Sequence, residues 1–371
     1  MQTRSRFRLL VVRLGAMGDI LHALPAVTAL RQAHPGWVID WVVESRWKAL
    51  LAAEGSTGRG KLSYCCAPNP QQPVVDHILY AATKEWRKAP FSRQTVHEFQ
   101  ALRQALRDGA YDATLDLQGA IRSAIIARMG CNRRRIGEAE PREKAAAWLS
   151  TDLVRTHGAH VIEQDLELAA TIAGDELTPM RPWLPVDPAA ETWADRLIPN
   201  PDSARAILVN PGAGWGAKRW PVERYAAVAR HFAERGFQIL VNSGPGEEPL
   251  AAAIVKEAGS AALALHCSLA QLIAVTRRVT LAIAGDTGPL HLACALGRPV
   301  VGIYGPTDPS RNGPFGTRFK VLRSPESRRD HTRYDAPEAG LLTIQPANVV
   351  QAAEELLYPE KALETAPESC A

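Results

Sequence analysis

What is missing from this chain narrows its function before any motif is read. Its six cysteines, at positions 65, 66, 131, 267, 294 and 370, contain no C-x-x-C spacing, which argues against a structural zinc or a dithiol redox centre. Cys267 and Cys294 lie in apolar segments, where a thiol behaves as a small hydrophobe, so a reduced cytosolic protein is expected. No D-x-D triplet is present to hold a divalent metal. No G-K-[ST] follows a strand, which removes the Walker-type ATPases. No apolar run approaches the length of a membrane span, and the Leu9 to Val12 run is too short for the core of a signal peptide although "MQTRSRFRLLVVRLG" mimics one. Aromatic residues are scarce, at 6%, and none is interleaved with Arg122, Arg128, Arg133, Arg134, Arg135, Arg142 and Lys144 as a base-stacking platform requires, so nucleic acid is discounted. Those cations are either a solvated face or an attractor for an anionic partner.

What is present fits a two-domain α/β protein. A chain of 371 residues with 46% hydrophobic and 22% charged content is soluble and globular in composition and exceeds what one core usually organises. Strand-like runs alternate with helical ones: Leu9 to Val12, a helix after Asp19, "WVIDWVVES", a helix from Arg46, "HILY", a helix through Val96 to Arg107, then "DATLDLQG" and its helix. The rhythm restarts with "AILVNPGAG", a helix from Pro221, "FQILVNSGPG", a helix from Glu248 to Ala258, "TLAIAGDTG", a helix from Pro289 and "PVVGIYGPT". This alternation implies parallel sheets covered on both faces. Residues 54–73 read as an inserted loop, and the prolines of "LTPMRPWLPVDPAA" break any helix or central strand. The expected division is 1–180, a linker at 181–200, 201–345, and a C-terminal segment 346–371. That segment comprises a helix that returns toward the first domain and a frayed tail.

Ligands of such sheets bind beyond the carboxyl ends of the strands. In "NPGAGWGAKRWP", Gly214 and its neighbouring glycines let backbone N–H groups approach an anion, and Lys218 supplies a positive charge. In "AIAGDTGPLHLACALG", Asp286 and Thr287 end a strand, and Gly288, Pro289 and Leu290 open a helix whose N–H groups from Thr287 to Leu290 form a second anion site, with His291 one turn on. The alternatives are a lone surface lysine, a simple cap and a core histidine. In "NSGPGEEP", either Glu247 or Glu248 is placed to accept hydrogen bonds from a ribose, or to cap its helix. In "RLGAMGD" only Gly15 and Gly18 of a dinucleotide fingerprint are present; Glu44 keeps that reading open, but an NAD enzyme is disfavoured. Asp19 either caps its helix or takes a proton from an incoming hydroxyl, with His22 on the same face to orient it.

Taken together, "RLGAMGDILHALPAVTALR", "YDATLDLQGAIRSA", "PREKAAAW", "NPGAGWGAKRWPVERYAAVA", "SGPGEEP" and "AGDTGPLHLACALGRPVVGIYGPTDPSRNGPFG" resemble the family 9 glycosyltransferases, the ADP-heptose:lipopolysaccharide heptosyltransferases. The resemblance runs from about Leu9 to Val349 and is strongest to heptosyltransferases of type I. It implies a GT-B fold, two Rossmann-like doubly wound domains facing across a cleft. The acceptor is then expected on the first domain and the sugar nucleotide on the second. It implies Asp19 as catalytic base and Lys218 at the donor phosphates. It implies donor contacts from Gly214, Glu247, Asp286, Thr287, Gly288, Pro289, Leu290 and His291, and acceptor contacts from Gly18, His22, Gln118, Arg122 and Arg142. The implied reaction is an inverting, metal-independent transfer of heptose from ADP-heptose to a Kdo-lipid A acceptor, without a cofactor. The implied location is the cytoplasm, with transient contact at the inner membrane. A family member with another acceptor or donor, or an idle sugar-nucleotide binder, stands as the alternative. The 54–73 loop departs from the family pattern on the acceptor side.

Overall fold

A computed structural model of the chain describes residues 6–56, 69–131, 133–200, 205–330, 332 and 334–359. They fall into two units that divide at Pro188/Ala189, within the proline-rich stretch.

The first unit contains β1 (Arg8–Val12), α1 (Met17–Ala33), β2 (Val38–Val43), β3 (His77–Tyr80), α2 (Thr83–Lys88), α3 (Arg93–Asp108), β4 (Ala113–Asp116), α4 (Ile121–Gly130), β5 (Arg134–Glu138), β6 (Asp152–Val154) and α5 (Val161–Ala173). All strand pairs are parallel and the sheet order is β3-β2-β1-β4-β5-β6. Leu9 to Val12 are wholly buried, as expected of a strand covered on both faces. Tertiary ties replace local propensity where the chain is irregular. Arg31, almost fully buried, is paired with Asp76 and donates to the Val74 carbonyl at 2.8 Å, which fixes the segment leading into β3.

The second unit contains α6 (Pro188–Leu197), β7 (Ala206–Asn210), α7 (Val222–Ala233), β8 (Gln238–Asn242), α8 (Glu248–Ala258), β9 (Ala262–Leu265), α9 (Leu269–Thr276), β10 (Leu281–Gly285), α10 (Gly288–Ala295), β11 (Val300–Tyr304), α11 (Pro309–Asn312), β12 (Phe319–Arg323) and α12 (Pro346–Leu357). Its sheet, also parallel, runs β12-β11-β10-β7-β8-β9. Renumbered from β7, this is the order of the first sheet. Each sheet therefore reverses direction once, between β1 and β4 and between β7 and β10, and a crevice opens beyond the strand ends at each reversal.

Four expectations are corrected. The helix from Arg46 is a short 3-10 turn, Ser45–Leu50. The second half of the expected linker is α6, whose Glu191 pairs with Arg277 and whose Asp195 lies 2.7 Å from Arg278 at the end of α9. The arginine run is not one solvated face, because Arg134 and Arg135 belong to β5 and spend their guanidinium groups on the Thr171 and Leu149 carbonyls at 2.8 and 2.6 Å. The closing helix packs within the second unit: Val349, Ala352, Ala353 and Leu356 of α12 join its core, against α7 and β10 to β12. The tail beyond 359, and most of the 54–73 loop, lie outside the described residues.

Candidate functional site

In the first unit the loops after β1 and β4 meet at the sheet's reversal, and the Leu14 N–H donates to Gln118 Oε1 at 2.9 Å. A Cβ on Gly15 would stand 2.7 Å from Trp47 Nε1, so only glycine lets this turn pass beneath the indole. Asp19 lies in the first turn of α1. Its Oδ2 accepts the Ala16 N–H at 3.0 Å, so it does cap the helix. Its Oδ1 faces Arg13 Nη2 at 3.4 Å, and the side chain is 43% exposed while Arg13 is buried. Asp19 is thus a carboxylate held by one backbone N–H and one guanidinium, with an open edge for a proton donor.

Asp116, at the end of β4, is fully buried. Burial pushes its carboxyl up to about 6, against the opposing pull of the Gln118 and Gly119 N–H groups, the Ser123 hydroxyl and the Arg13 charge. The two N–H groups and the hydroxyl approach it at 2.9, 3.3 and 3.0 Å and so shape the loop that carries Gln118. Sequence reading passed over Arg13 and Asp116. The available signal was a charged residue ending a buried strand beside a glycine.

His22 is buried, its ring edge-on to His160 with centroids 5.6 Å apart. Gly18 is half-buried one residue before Asp19. Arg122, on α4, and Arg142 are both exposed. The segment carrying Arg142 is drawn to the same loop, since Glu143 donates its N–H to the Gly119 carbonyl and accepts that of Ile121, both at 2.9 Å. Asp19, Gln118, Arg122 and Arg142 thus belong to loops and helix starts at one edge of this sheet.

In the second unit the reversal lies between the β7 loop and the start of α10. Lys218 sits in a 3-10 turn, Gly216–Lys218, and its Nζ is paired with Asp286 while lying 4.4 Å from the centroid of the Trp215 ring. His291 Nε2 approaches Asp286 Oδ1 at 3.3 Å. Burial would raise the Asp286 carboxyl, but the His291 hydrogen bond and the Lys218 charge outweigh it and hold the group well below the usual carboxylate range. Lys218 is therefore a fixed cation rather than a mobile one.

Pro289 has no N–H, and Leu290 donates to the Thr287 carbonyl at 3.1 Å. The N–H groups at the α10 start that carry no hydrogen bond among the described residues are those of Thr287 and Gly288, fewer than the sequence reading allotted. Asn242 Nδ2 donates to Asn210 Oδ1 at 2.6 Å and Asn210 Nδ2 reaches Thr287 Oγ1 at 3.4 Å, an amide chain across three strand ends that sequence reading did not single out.

Glu247 joins the two glycine loops. Its Oε1 accepts the Ala213 N–H at 3.1 Å and its Oε2 accepts the Gly244 N–H at 3.0 Å. Glu248 is exposed and accepts the Gly246 N–H at 3.1 Å. Between the two glutamates the geometry favours Glu247 for the interior of the site. Gly214 is exposed, with nothing within 4 Å of where a Cβ would stand, which leaves its loop open on that side. This arrangement offers one cation, two free N–H donors and a helix dipole to a ligand of two or three negative charges.

Among the described residues no group of three or more His, Cys, Asp or Glu side chains is arranged to hold a metal, and no helix is long and apolar enough to cross a membrane. The Cys267 and Cys294 thiols are pushed up by burial to about 11 and about 12, so both are protonated at neutral pH; Cys294 is buried in the core, while Cys267 is partly exposed.

The model of the family described as Glycosyltransferase family 9 (heptosyltransferase) matches residues 99–341. Lipopolysaccharide heptosyltransferase 1 of Escherichia coli K12 is 29% identical over 324 residues, 86% of this chain and 94% of that protein. The protein of the same name from Pseudomonas aeruginosa is 27% identical over 317 residues, 83% of this chain and 81% of that one. The solved structure of E. coli heptosyltransferase WaaC with ADP superposes with a TM-score of 0.75 at 27% identity, covering 94% of this chain and all of that one. The architecture is that of the GT-B transferases.

Proposed function

Since this chain belongs to glycosyltransferase family 9, we propose that it moves a heptose from ADP-heptose to the Kdo-lipid A inner core of lipopolysaccharide, by inversion and without a metal. The observation that carries the reading is the Lys218–Asp286–His291 cluster beside the two free N–H groups at the start of α10. It offers the phosphates of a nucleoside diphosphate one ammonium group and two backbone N–H donors, and the relatives named above are heptosyltransferases, one of them solved with ADP.

In the proposed step the Asp19 carboxylate takes the proton of the acceptor hydroxyl as its oxygen bonds to the anomeric carbon from the face opposite the nucleotide. The bond from that carbon to the ADP oxygen breaks, and ADP leaves with the electron pair. Lys218 and the N–H groups of Thr287 and Gly288 meet the charge that develops on its phosphate. Glu247, placed between the glycine loops, is the residue assigned to the ribose. Gly18, His22, Gln118, Arg122 and Arg142 are assigned to the acceptor, the arginines to its carboxylates and phosphates. The protein then works in the cytoplasm and touches the inner membrane to reach its lipid.

Calorimetric titration with ADP, UDP, GDP and NAD, with and without chelator, tests the donor side. Selective binding of ADP that survives the chelator supports the reading. Preference for another nucleotide, or for NAD, overturns it, and ADP-heptose that binds but is never consumed with any acceptor would mark a non-catalytic sugar-nucleotide binder.

A further inference from the structure

A row of polar side chains crosses the second sheet at its strand ends. Asn210 and Asn242 close β7 and β8, which pair one residue earlier at Val209 and Val241, and both side chains are buried. Cys267 Sγ lies 3.8 Å from Asn242 Oδ1, and its thiol, protonated at neutral pH, is the donor. Asn242 Nδ2 donates to Asn210 Oδ1, and Asn210 Nδ2 donates to Thr287 Oγ1 and, at 3.5 Å, to the Gly212 carbonyl. Thr287 Oγ1 donates in turn to the Gly285 carbonyl at 3.2 Å. Every bond in the row runs in one direction, so neither amide can flip without setting like groups against each other. The last member of the row is the N-cap residue of α10. A threonine there ordinarily turns its hydroxyl onto a free N–H of the first turn. Here the side chain makes no such cap, because Asn210 and the Gly285 carbonyl occupy the hydroxyl.

We propose that Asn210 is a positioning residue of the donor site: it draws the Thr287 hydroxyl back and so leaves the mouth of α10 open to a phosphate oxygen. Pro289 has no N–H to be capped. A released hydroxyl would therefore turn to Leu290, and in doing so it would stand where the anion must. Asn242 acts one step further away, since its amide fixes which end of Asn210 faces Thr287. The inference rests on the proposed sugar-nucleotide site. Inorganic pyrophosphate, which carries the phosphates without base or sugar, separates the two in the test.

The experiment is a double-mutant cycle on the full-length protein, read by calorimetry with inorganic pyrophosphate and with ADP. Asn210→Ala should weaken both ligands about fivefold, the equivalent of a threonine cap of about 1 kcal/mol. In a Thr287→Val background, where no hydroxyl is left to cap, the same substitution should change either affinity by less than about twofold. Asn242→Leu should likewise weaken both ligands in the Thr287 protein and not in the Thr287→Val one, and it carries the test if Asn210→Ala does not fold. An equal loss in both backgrounds would make Asn210 a merely structural residue and overturn the inference, as would an Asn210→Ala protein that binds both ligands like wild type. Coupling seen with pyrophosphate in a protein that prefers another nucleotide to ADP would uphold the inference and overturn the proposed donor. Wild-type protein that binds neither pyrophosphate nor ADP would overturn both.

Discussion

Asp19 combines two roles that sequence reasoning sets against each other, since the same carboxylate caps α1 through Ala16 and keeps an open edge beside Arg13. Asp19→Ala should lower the rate of transfer by about two to four powers of ten with ADP affinity unchanged, read by steady-state kinetics and calorimetry; wild-type turnover would remove Asp19 from the mechanism. Asp116 gives a separate handle on pH. Its folded pKa is raised above the ordinary value near 4 to about 6, so its contribution to stability is complete below about pH 4 and is lost as pH rises through 6. The loss amounts to about 3 kcal/mol. Asp116→Asn should abolish that decline in urea unfolding between pH 4 and 7, and an unchanged slope would place the titration elsewhere. Lys218 and Asp286 are both largely buried, so Lys218→Met leaves a carboxylate uncompensated and should cost about 3 kcal/mol of stability. Adding Asp286→Asn should recover most of that stability but not ADP affinity.

Among the elements, the proposed donor site depends on two loops being held at a set distance. A Cβ on Gly212 would fall 1.9 Å from Glu247 Oε2, so Gly212→Ala must push the carboxylate off the Ala213 and Gly244 N–H groups. The expected result is a loss of about 1–3 kcal/mol in stability together with weaker ADP binding; a neutral variant would show that the clamp does not shape the site. The strands and glycine loops were legible because parallel strands buried on both faces read as unbroken apolar runs, and because a turn after a strand announces itself with glycine and a polar residue. β5 was not legible as a strand. Its "RRIGE" looks like surface, and it is partners distant in sequence, among them the carbonyls of Leu149 and Thr171 and the Asp152 carboxylate, that make its arginines structural. The direction of α12 was hidden for a related reason: an amphipathic pattern tells which side of a helix is buried and not against which unit.

Across the whole molecule, one strand order occurs twice, and in each sheet the residues with chemistry to offer lie at the reversal: Asp19 and Gln118 in one, Lys218 and Asp286 in the other. That placement was readable from the alternation of strands and helices, since the ends of parallel strands are the only edge from which helix N-termini point outward. The partners of those residues were not, because Arg13 reaches Asp19 and His291 reaches Asp286 through folded geometry. The account meets phosphate charge with Lys218 and backbone N–H groups, so transfer should persist within about twofold in excess chelator, and complete loss would contradict a metal-independent step. The decisive experiment is to incubate the purified protein with ADP-heptose and Kdo-lipid A and follow the products by mass spectrometry, beside Asp19→Ala. One heptose should be added to the acceptor for each ADP released, and almost none with the variant. Intact ADP-heptose and unmodified acceptor after prolonged incubation with wild-type protein would contradict it.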